Sequence, residues 1–220
     1  LLALLLAAFF EKPLRHVADH HYTTADLTQA YALTRIEPGY EQMNHALREP
    51  ALRMQPWRLF ARQEFARGAF PLWNDENGCG TPHFANPGTG VLSPLSVAFY
   101  ALPLRYALLF APIAKLLLGA LFTFLFLRRI ALSFWPALTG AVAYAWSGYG
   151  VLLVAFPHPT TALVLPMGLW CAELACDRLR DRSPHAWRAL AALVLTFALG
   201  IFAGEPEVFR SSALVVGAWT

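Results

Sequence analysis

The amino-acid sequence predicts an all-α polytopic membrane protein, a transmembrane helix bundle with a large extracytoplasmic first loop that contains short amphipathic helices. First, 57% of the 220 residues are hydrophobic and only 14% are charged, whereas soluble domains carry about 25% charged residues. Second, charged residues are about twice as dense in residues 11–90 as in residues 91–220. Third, the apolar tracts of the second part are joined alternately by turns with and without arginine.

Residues 1–10 are apolar and predict the remnant of a first transmembrane helix. A signal peptide is the weaker interpretation, because no basic start precedes the run and no small-residue cleavage site follows it. The sequence lacks an initiator methionine and both ends fall inside apolar segments, so we expect a truncated chain of a longer membrane protein. Residues 11–92 are then the extracytoplasmic loop, and residues 93–220 form the helix bundle.

The bundle is predicted from its apolar tracts, since a membrane span needs about 20 mostly apolar residues. The expected spans are 106–127, 132–156, a short span at 160–176, 187–204 and a truncated span at 208–220. The second of these is rich in glycine, which suits close packing between helices.

The connections between the spans predict the orientation. Arg128 and Arg129 follow the first full span, and four arginines lie between residues 177 and 188. The connections at 157–159 and 204–207 contain neither lysine nor arginine. Because short arginine-rich connections stay in the cytoplasm, we expect the long loop and both non-basic turns on the outer face.

Composition argues against several other classes of site. A net charge of +3, dispersed along the chain, does not indicate a nucleic-acid partner. The segment HVADHH at 16–21 could bind a metal, since His16 and His20 lie one helical turn apart. The alternative is a hydrated turn beside the membrane, and we assign no metal ligand. No metal-binding pattern is formed by the three cysteines, Cys79, Cys171 and Cys176.

Within the loop, residues 49–70 have the pattern of an amphipathic helix. Its apolar contacts would come from Leu59, Phe60, Phe65 and Phe70. Its polar side would carry Arg58, Arg62, Glu64 and Arg67. Such a helix either lies in the membrane interface or packs on the rest of the loop.

An ordered series of short motifs extends from the loop into the bundle. It comprises Asn44, Glu49-Pro50, Pro56-Trp57, GAFPLWN at 68–74, GCGTPHFANP at 78–87, LRRIALS at 127–133, His158-Pro159 and GEPE at 204–207. From about Asp26 to Glu207 the chain resembles the bacterial YfhO-like membrane proteins. These are similar in architecture to the GT-C glycosyltransferases, which use a polyprenyl-phosphate sugar as donor. The resemblance implies a multi-pass protein of the bacterial inner membrane, whose partners are the lipid bilayer, that donor and a cell-envelope glycan or lipid acceptor.

The resemblance also implies a catalytic acid in the first outer loop. Such an acid acts as general base on the acceptor hydroxyl, or holds a metal that neutralises the leaving phosphate. Asp26 lies where this acid is expected. Glu49 stands where family members commonly carry Asp before Pro, and it is either catalytic or a cap on the following helix. The cofactor stays open, with a divalent cation as one option.

Further residues are expected to bind the substrate. A lipid phosphate needs cations near the outer face, where Arg105 lies at the start of the first full span and Lys115 near its middle. An intramembrane charge marks a functional site by default, although Lys115 could instead bond a carbonyl or water. The remaining substrate-binding candidates lie on outer turns or in the loop: His158, Glu205, Glu207, Asn74 and Asn86.

These observations leave two functions. The first is a glycosyltransferase-like protein that transfers a sugar from a polyprenyl-phosphate carrier to a cell-envelope acceptor at the extracytoplasmic face. The alternative is a non-catalytic polytopic membrane protein, either a transporter or an envelope-assembly scaffold. Lys115 with Pro112 fits a transporter, because transporters often have interrupted helices and charges at the membrane midplane.

Overall fold

The computed structural model describes residues 1–18 and 49–219, and this part of the chain is mostly helical, as predicted. The helices in its first part are α1 (Leu2–Phe9), α2 (Glu11–Arg15), α3 (Gln55–Ala66) and α4 (Val97–Ala101). The apolar part contains α5 (Leu104–Arg129), α6 (Phe134–Ala145), α7 (Gly148–Leu152), α8 (His158–Ala162), α9 (Val164–Arg180), α10 (Ala186–Ile201) and α11 (Pro206–Trp219). Two short strands, β1 (Trp73–Asn74) and β2 (Thr81–Pro82), form an antiparallel hairpin.

The longest helix, α5, lies at the centre of the apolar part. It begins after Pro103 and ends at two arginines, beyond which Ala131 has a φ of 67° and turns the chain. It contacts α1, α6 and α9. By length and composition, two helical stretches of the described chain could cross a membrane, namely α5 and His158–Arg180, which joins α8 and α9.

The tract 132–156, expected as one helix, is divided between α6 and α7. Ser147 has an extended backbone with ψ of 155°, and its Oγ accepts a hydrogen bond from the Gly150 N–H at 3.2 Å. Serine is a favoured helix N-cap, and the glycines on both sides of Tyr149 lower the helix propensity there. The tracts expected at 187–204 and 208–220 form α10 and α11, with 16 and 14 residues.

The last three helices pack closely where glycines face bulky side chains. α10 lies along α9, and α11 contacts both. A Cβ added to Gly168 of α9 would lie 2.9 Å from Val216 of α11, and one added to Gly200 of α10 would lie 2.8 Å from Phe209. Because these positions have no side chain, α11 can approach closely enough to line the cavity described below.

Polar contacts join the connections at the two ends of the helices. At one end, Arg129 after α5 forms an ion pair with Asp177 of α9. At the other end, His158 lies beside Glu205, and a Cβ on Gly204 would lie 3.0 Å from both Pro157 and the carbonyl oxygen of Pro87. The two non-basic turns and the segment before α4 therefore meet at one end, and the arginine-rich turns meet at the other.

The amphipathic segment 49–70 begins with a π-helix (Pro50–Met54) and continues as α3. α3 packs on the rest of this region, which is one of the two predicted alternatives. The Phe60 ring lies 4.9 Å from the buried His83 ring, and the Phe65 ring lies 4.8 Å from Tyr100 of α4. These contacts bring one face of α3 against the start of the apolar part.

Candidate functional site

A cavity of about 570 Å³, here called the main cavity, lies where α5 to α9 and α11 meet. Its volume falls in the range of small-molecule sites, about 300–1,000 Å³, and its walls are mostly apolar, as such sites usually are. Few polar side chains lie on the wall: Lys115, Tyr144, Ser147, Tyr149, Glu207, Ser211 and Ser212. The cavity therefore suits an apolar ligand that carries a polar group at one place.

Lys115 of α5 is only 5% exposed and lies on the wall of the main cavity. Its Nζ donates hydrogen bonds to the carbonyl oxygens of Val154, at 2.9 Å, and Phe156, at 2.5 Å. Both carbonyls follow α7, where helical hydrogen bonding has ended and carbonyls need other partners. Lys115 therefore bonds carbonyls, which is one of the two alternatives given by the sequence, and it also lies on the wall of a cavity. It does not pair with Glu173, whose Oε1 accepts from Trp219 Nε1 at 2.6 Å.

A second and much smaller cavity, here called the cation cavity, lies between α3, α4, α5 and the segment before α4. Its volume is about 20 Å³, which is enough for a water-sized group. The polar residues that line it are Arg58, Thr89, Ser93, Ser96, Lys115 and Thr160. Because Lys115 lines both cavities, it stands between them.

Arg58 was predicted on the polar side of the amphipathic helix, and that prediction is wrong. The guanidinium instead lies over the Phe99 ring, 4.2 Å from its centroid, on the side of α3 that faces the apolar part. Burial lowers the pKa of Arg58 to about 10, so the group remains charged at neutral pH. Residue type alone predicts an outward guanidinium, whereas the long side chain here packs on an aromatic ring from another helix.

The two catalytic candidates are placed differently. Glu49 is partly exposed, and its Oε1 accepts from Arg53 at 2.8 Å. It makes no side-chain cap to the following helix, so the predicted capping role is not observed. Asp26 lies outside the described residues, as does the second half of the HVADHH segment, residues 19–21. Elsewhere in the described chain, no group of three or more His, Cys, Asp or Glu side chains is placed to hold a metal.

The non-basic turns bring two of the predicted residues together. His158 Nδ1 lies 3.6 Å from Glu205 Oε1, and both side chains are partly buried. Glu207, two residues further along the chain, lies on the wall of the main cavity. The GEPE turn therefore supplies one carboxylate to the cavity and a second to the histidine beside it.

Three other candidates lie away from the main cavity and the cation cavity. Arg105 donates to the carbonyl oxygen of Ala18 at 2.7 Å, which ties the start of α5 to the residues after α2. Asn86 Oδ1 accepts from the Gly88 N–H at 3.1 Å and caps a short 3-10 turn. Asn74 Oδ1 accepts from the backbone two residues later at 3.0 Å. Arg105 therefore connects two segments of the chain, and the two asparagines stabilise turns.

A third cavity, of about 170 Å³, lies beside the first turns of α3. Its polar and aromatic lining consists of Arg53, Trp57, Phe60, Asn74, Glu76 and Asn77. Asn74 thus faces a cavity as well as closing a turn, which leaves it available to a polar ligand through its amide nitrogen.

Comparisons of this chain with protein-family models, with curated proteins and with solved structures find no match. The site therefore has to be interpreted from its own chemistry. That chemistry consists of a large apolar cavity, a buried lysine at its wall, and a small cavity beyond the lysine that contains a second cation.

Proposed function

We propose that this chain is part of a multi-pass, YfhO-like protein of the bacterial inner membrane with GT-C-like architecture. It transfers a sugar from a polyprenyl-phosphate carrier to a cell-envelope glycan or lipid acceptor at the extracytoplasmic face. The main cavity is the observation that carries this proposal. Its mostly apolar walls suit an isoprenoid chain, and Lys115 supplies a positive charge where the phosphate of such a carrier would lie.

The reaction needs a base and a stabilised leaving group. The acceptor hydroxyl attacks the anomeric carbon, the bond from that carbon to the phosphate oxygen breaks, and the phosphate leaves with the electron pair. The hydroxyl proton passes to a carboxylate. Asp26 and Glu49 are the proposed bases, and Glu207 is the carboxylate on the wall of the main cavity.

Substitution of the loop acids in the complete protein tests the enzymatic assignment. Asp26→Asn and Glu49→Gln remove the proton acceptor while keeping side-chain size. Loss of a general base lowers a rate by about 10²–10⁴-fold, so we expect at least one variant to lose turnover of a polyprenyl-phosphate sugar by that factor. Asp75→Asn, which changes an exposed loop acid, is the matched control and should retain full turnover. Unchanged turnover in both acid variants at normal protein levels would disprove the role of these acids.

Transport is a second candidate, favoured by the break between α6 and α7. Transporters commonly have interrupted helices whose free carbonyls lie beside a charged group at the centre of the membrane. Here Lys115 binds the two carbonyls that follow α7, and Pro112 interrupts hydrogen bonding in α5. A transport function requires that Lys115→Gln abolish solute flux in proteoliposomes. Retained sugar transfer with no measurable flux in the unmodified protein would exclude it.

A further inference from the structure

The cation cavity is lined by two basic side chains, and no acidic side chain among the described residues of its wall balances them. The two basic side chains are Arg58 and Lys115. The positive charge of Arg58 acts unfavourably on Lys115. Arg58 keeps its charge at neutral pH, and a buried cation is costly unless an opposite charge compensates it, so the cavity favours an anion.

Within the described part of the chain, Arg58 has unused hydrogen-bonding capacity. A guanidinium carries five N–H donors, yet its recorded contacts within the described chain are the face of Phe99 and electrostatic interactions with Tyr100 and Lys115. No hydrogen bond or ion pair to a described residue engages these donors. Stacking on Phe99 holds the group in one orientation, so its donors are positioned in advance for a ligand.

Lys115 contributes a second and more deeply buried cation. Its side chain is 5% exposed, and two of its three N–H donors bind the carbonyls of Val154 and Phe156. The third donor is left for the cavity. Because two carbonyls accept hydrogen bonds from its Nζ, the lysine is anchored at the wall of the cavity.

The rest of the wall supplies neutral donors. The hydroxyls of Ser93 and Thr160 line the cavity and make no hydrogen bond to any described residue. Ser93 is 3% exposed, so its hydroxyl is removed from bulk water. A guanidinium fork, an ammonium and two hydroxyls are the groups that proteins use to bind the oxygens of a phosphate.

We infer that the cation cavity binds a phosphate group through Arg58, Lys115, Ser93 and Thr160. Charge favours this ligand in its monoester form, which is the form of the carrier after the sugar has left, because a phosphate monoester carries about −1.5 to −2 at pH 7, whereas a carboxylate carries a single charge. The cavity holds about one water-sized group, so only phosphate oxygens enter it and the rest of the ligand lies outside. Lys115 also faces the main cavity, so the phosphate of an apolar chain could bind here while the chain occupies the main cavity.

The phosphate can come from a lipid or from solution. Assignment to a polyprenyl carrier depends on the proposed function, but the charge argument does not. The sequence predicted that Arg105 binds the phosphate, but Arg105 is exposed and donates to the Ala18 carbonyl. We assign that role to Arg58 instead.

Binding measurements on the complete protein in detergent test the inference. The probes are farnesyl monophosphate, farnesol and inorganic phosphate, titrated at neutral pH and followed by native mass spectrometry. We expect farnesyl monophosphate to bind at least about tenfold more tightly than farnesol, since charge-assisted hydrogen bonds are lost without the phosphate. Equal affinities for the two would overturn the inference. Tighter binding of inorganic phosphate than of farnesyl monophosphate would support the phosphate site and overturn its assignment to a lipid.

Variants identify the residues responsible. Arg58→Gln should weaken farnesyl monophosphate binding by about 10- to 100-fold, the factor that corresponds to one charge-assisted hydrogen bond. Arg58→Lys keeps the charge but not the fork and should lose less. Arg67→Gln, at the exposed end of the same helix, should bind as the unmodified protein does. If Arg58→Gln binds as tightly as Arg67→Gln, the site is disproved. If Arg58→Gln does not fold, the same comparison is made with Ser93→Ala, which should weaken binding of the phosphate probe and not of farnesol.

The outcome for the site is separable from the outcome for the proposed function. Arg58-dependent phosphate binding in a protein without sugar transfer would support the site and overturn the enzymatic proposal. Undiminished sugar transfer in Arg58→Gln would overturn the assignment of this phosphate site to the sugar carrier and leave the enzymatic proposal standing.

Discussion

Replacing Gly200 with alanine tests the packing that holds α11 against the main cavity. The added Cβ would lie 2.5 Å from Val164 Cγ2 and 2.8 Å from Phe209 Cδ2. Carbon atoms pack best at about 3.5–4.0 Å, so these neighbours would have to move by about 1 Å. Overpacking of this kind costs about 1–3 kcal/mol, against a gain of at most about 1 kcal/mol from the higher helix propensity of alanine.

Gly217→Ala is a matched control for the stability gained when alanine replaces a helical glycine. Gly217 lies near the end of α11, as Gly200 lies near the end of α10, and a Cβ there would have no atom within 4 Å. The two variants share the change in helix propensity and differ in the steric contact. We therefore expect Gly200→Ala to be less stable than Gly217→Ala by about 1–3 kcal/mol, or roughly 2–12 °C in melting temperature.

The buried thiol of Cys171 provides the assay. Its Sγ lies 3.8 Å from Thr196 Oγ1 of α10, so it becomes reactive when α10 separates from α9. A thiol-reactive dye added during heating reports that separation, in a background where the exposed Cys79 is replaced by alanine and the partly buried Cys176 by serine. If Gly200→Ala melts at or above the temperature of Gly217→Ala, the close contact between α10 and α11 does not exist and this reasoning is refuted.

Three further predictions concern the loop region. Burial lowers the pKa of His83 in the folded state, so on acidification the unfolded chain takes up a proton before the folded chain does. The folded state is therefore not penalised by His83 above about pH 6.5. It loses stability as the pH falls from there towards the folded-state pKa. His83→Phe should therefore flatten the decline of melting temperature with acidification, and an unchanged slope would contradict the assignment. Gly80 has a φ of 95°, and a Cβ there would lie 2.5 Å from Trp73 Nε1, so Gly80→Ala should cost about 1–3 kcal/mol and accelerate limited proteolysis of the hairpin. Cys79 is exposed, so a membrane-impermeant maleimide should label it in intact cells. A cysteine introduced by His185→Cys in a Cys79→Ala background should react only after permeabilisation. The reverse pattern would refute the proposed orientation.

Helix positions were largely predictable from the chain itself. The first full span was expected at 106–127 and α5 covers Leu104–Arg129, because a continuous apolar run ends at a proline on one side and at two arginines on the other. The division of 132–156 was not predicted. Hydropathy averages over Ser147 and its glycine neighbours, whereas the cap is a local hydrogen bond that interrupts the helix without changing the average.

The candidate site was only partly predictable. Lys115 could be selected from the sequence, because a lysine inside an apolar run is costly and therefore noteworthy. Arg58 could not, since an arginine in an amphipathic helix is ordinarily solvated. Only its contact with Phe99, 41 positions later in the chain, turns the guanidinium inward. Conversely, Arg105 and Asn86 were expected at the site and instead hold local structure.

The sequence by itself determined the helical class, the apolar tracts and the alternation of basic and non-basic turns. These depend on residues that are neighbours along the chain, where propensity, hydropathy and helix ends act locally. The tertiary structure decided which ionisable side chains lie together: His158 with Glu205, Arg129 with Asp177, and Arg58 with Lys115. These contacts depend on how helices that are distant in the sequence pack together. Packing is set by side-chain shape and burial over the whole chain, and a local sequence pattern does not contain that information.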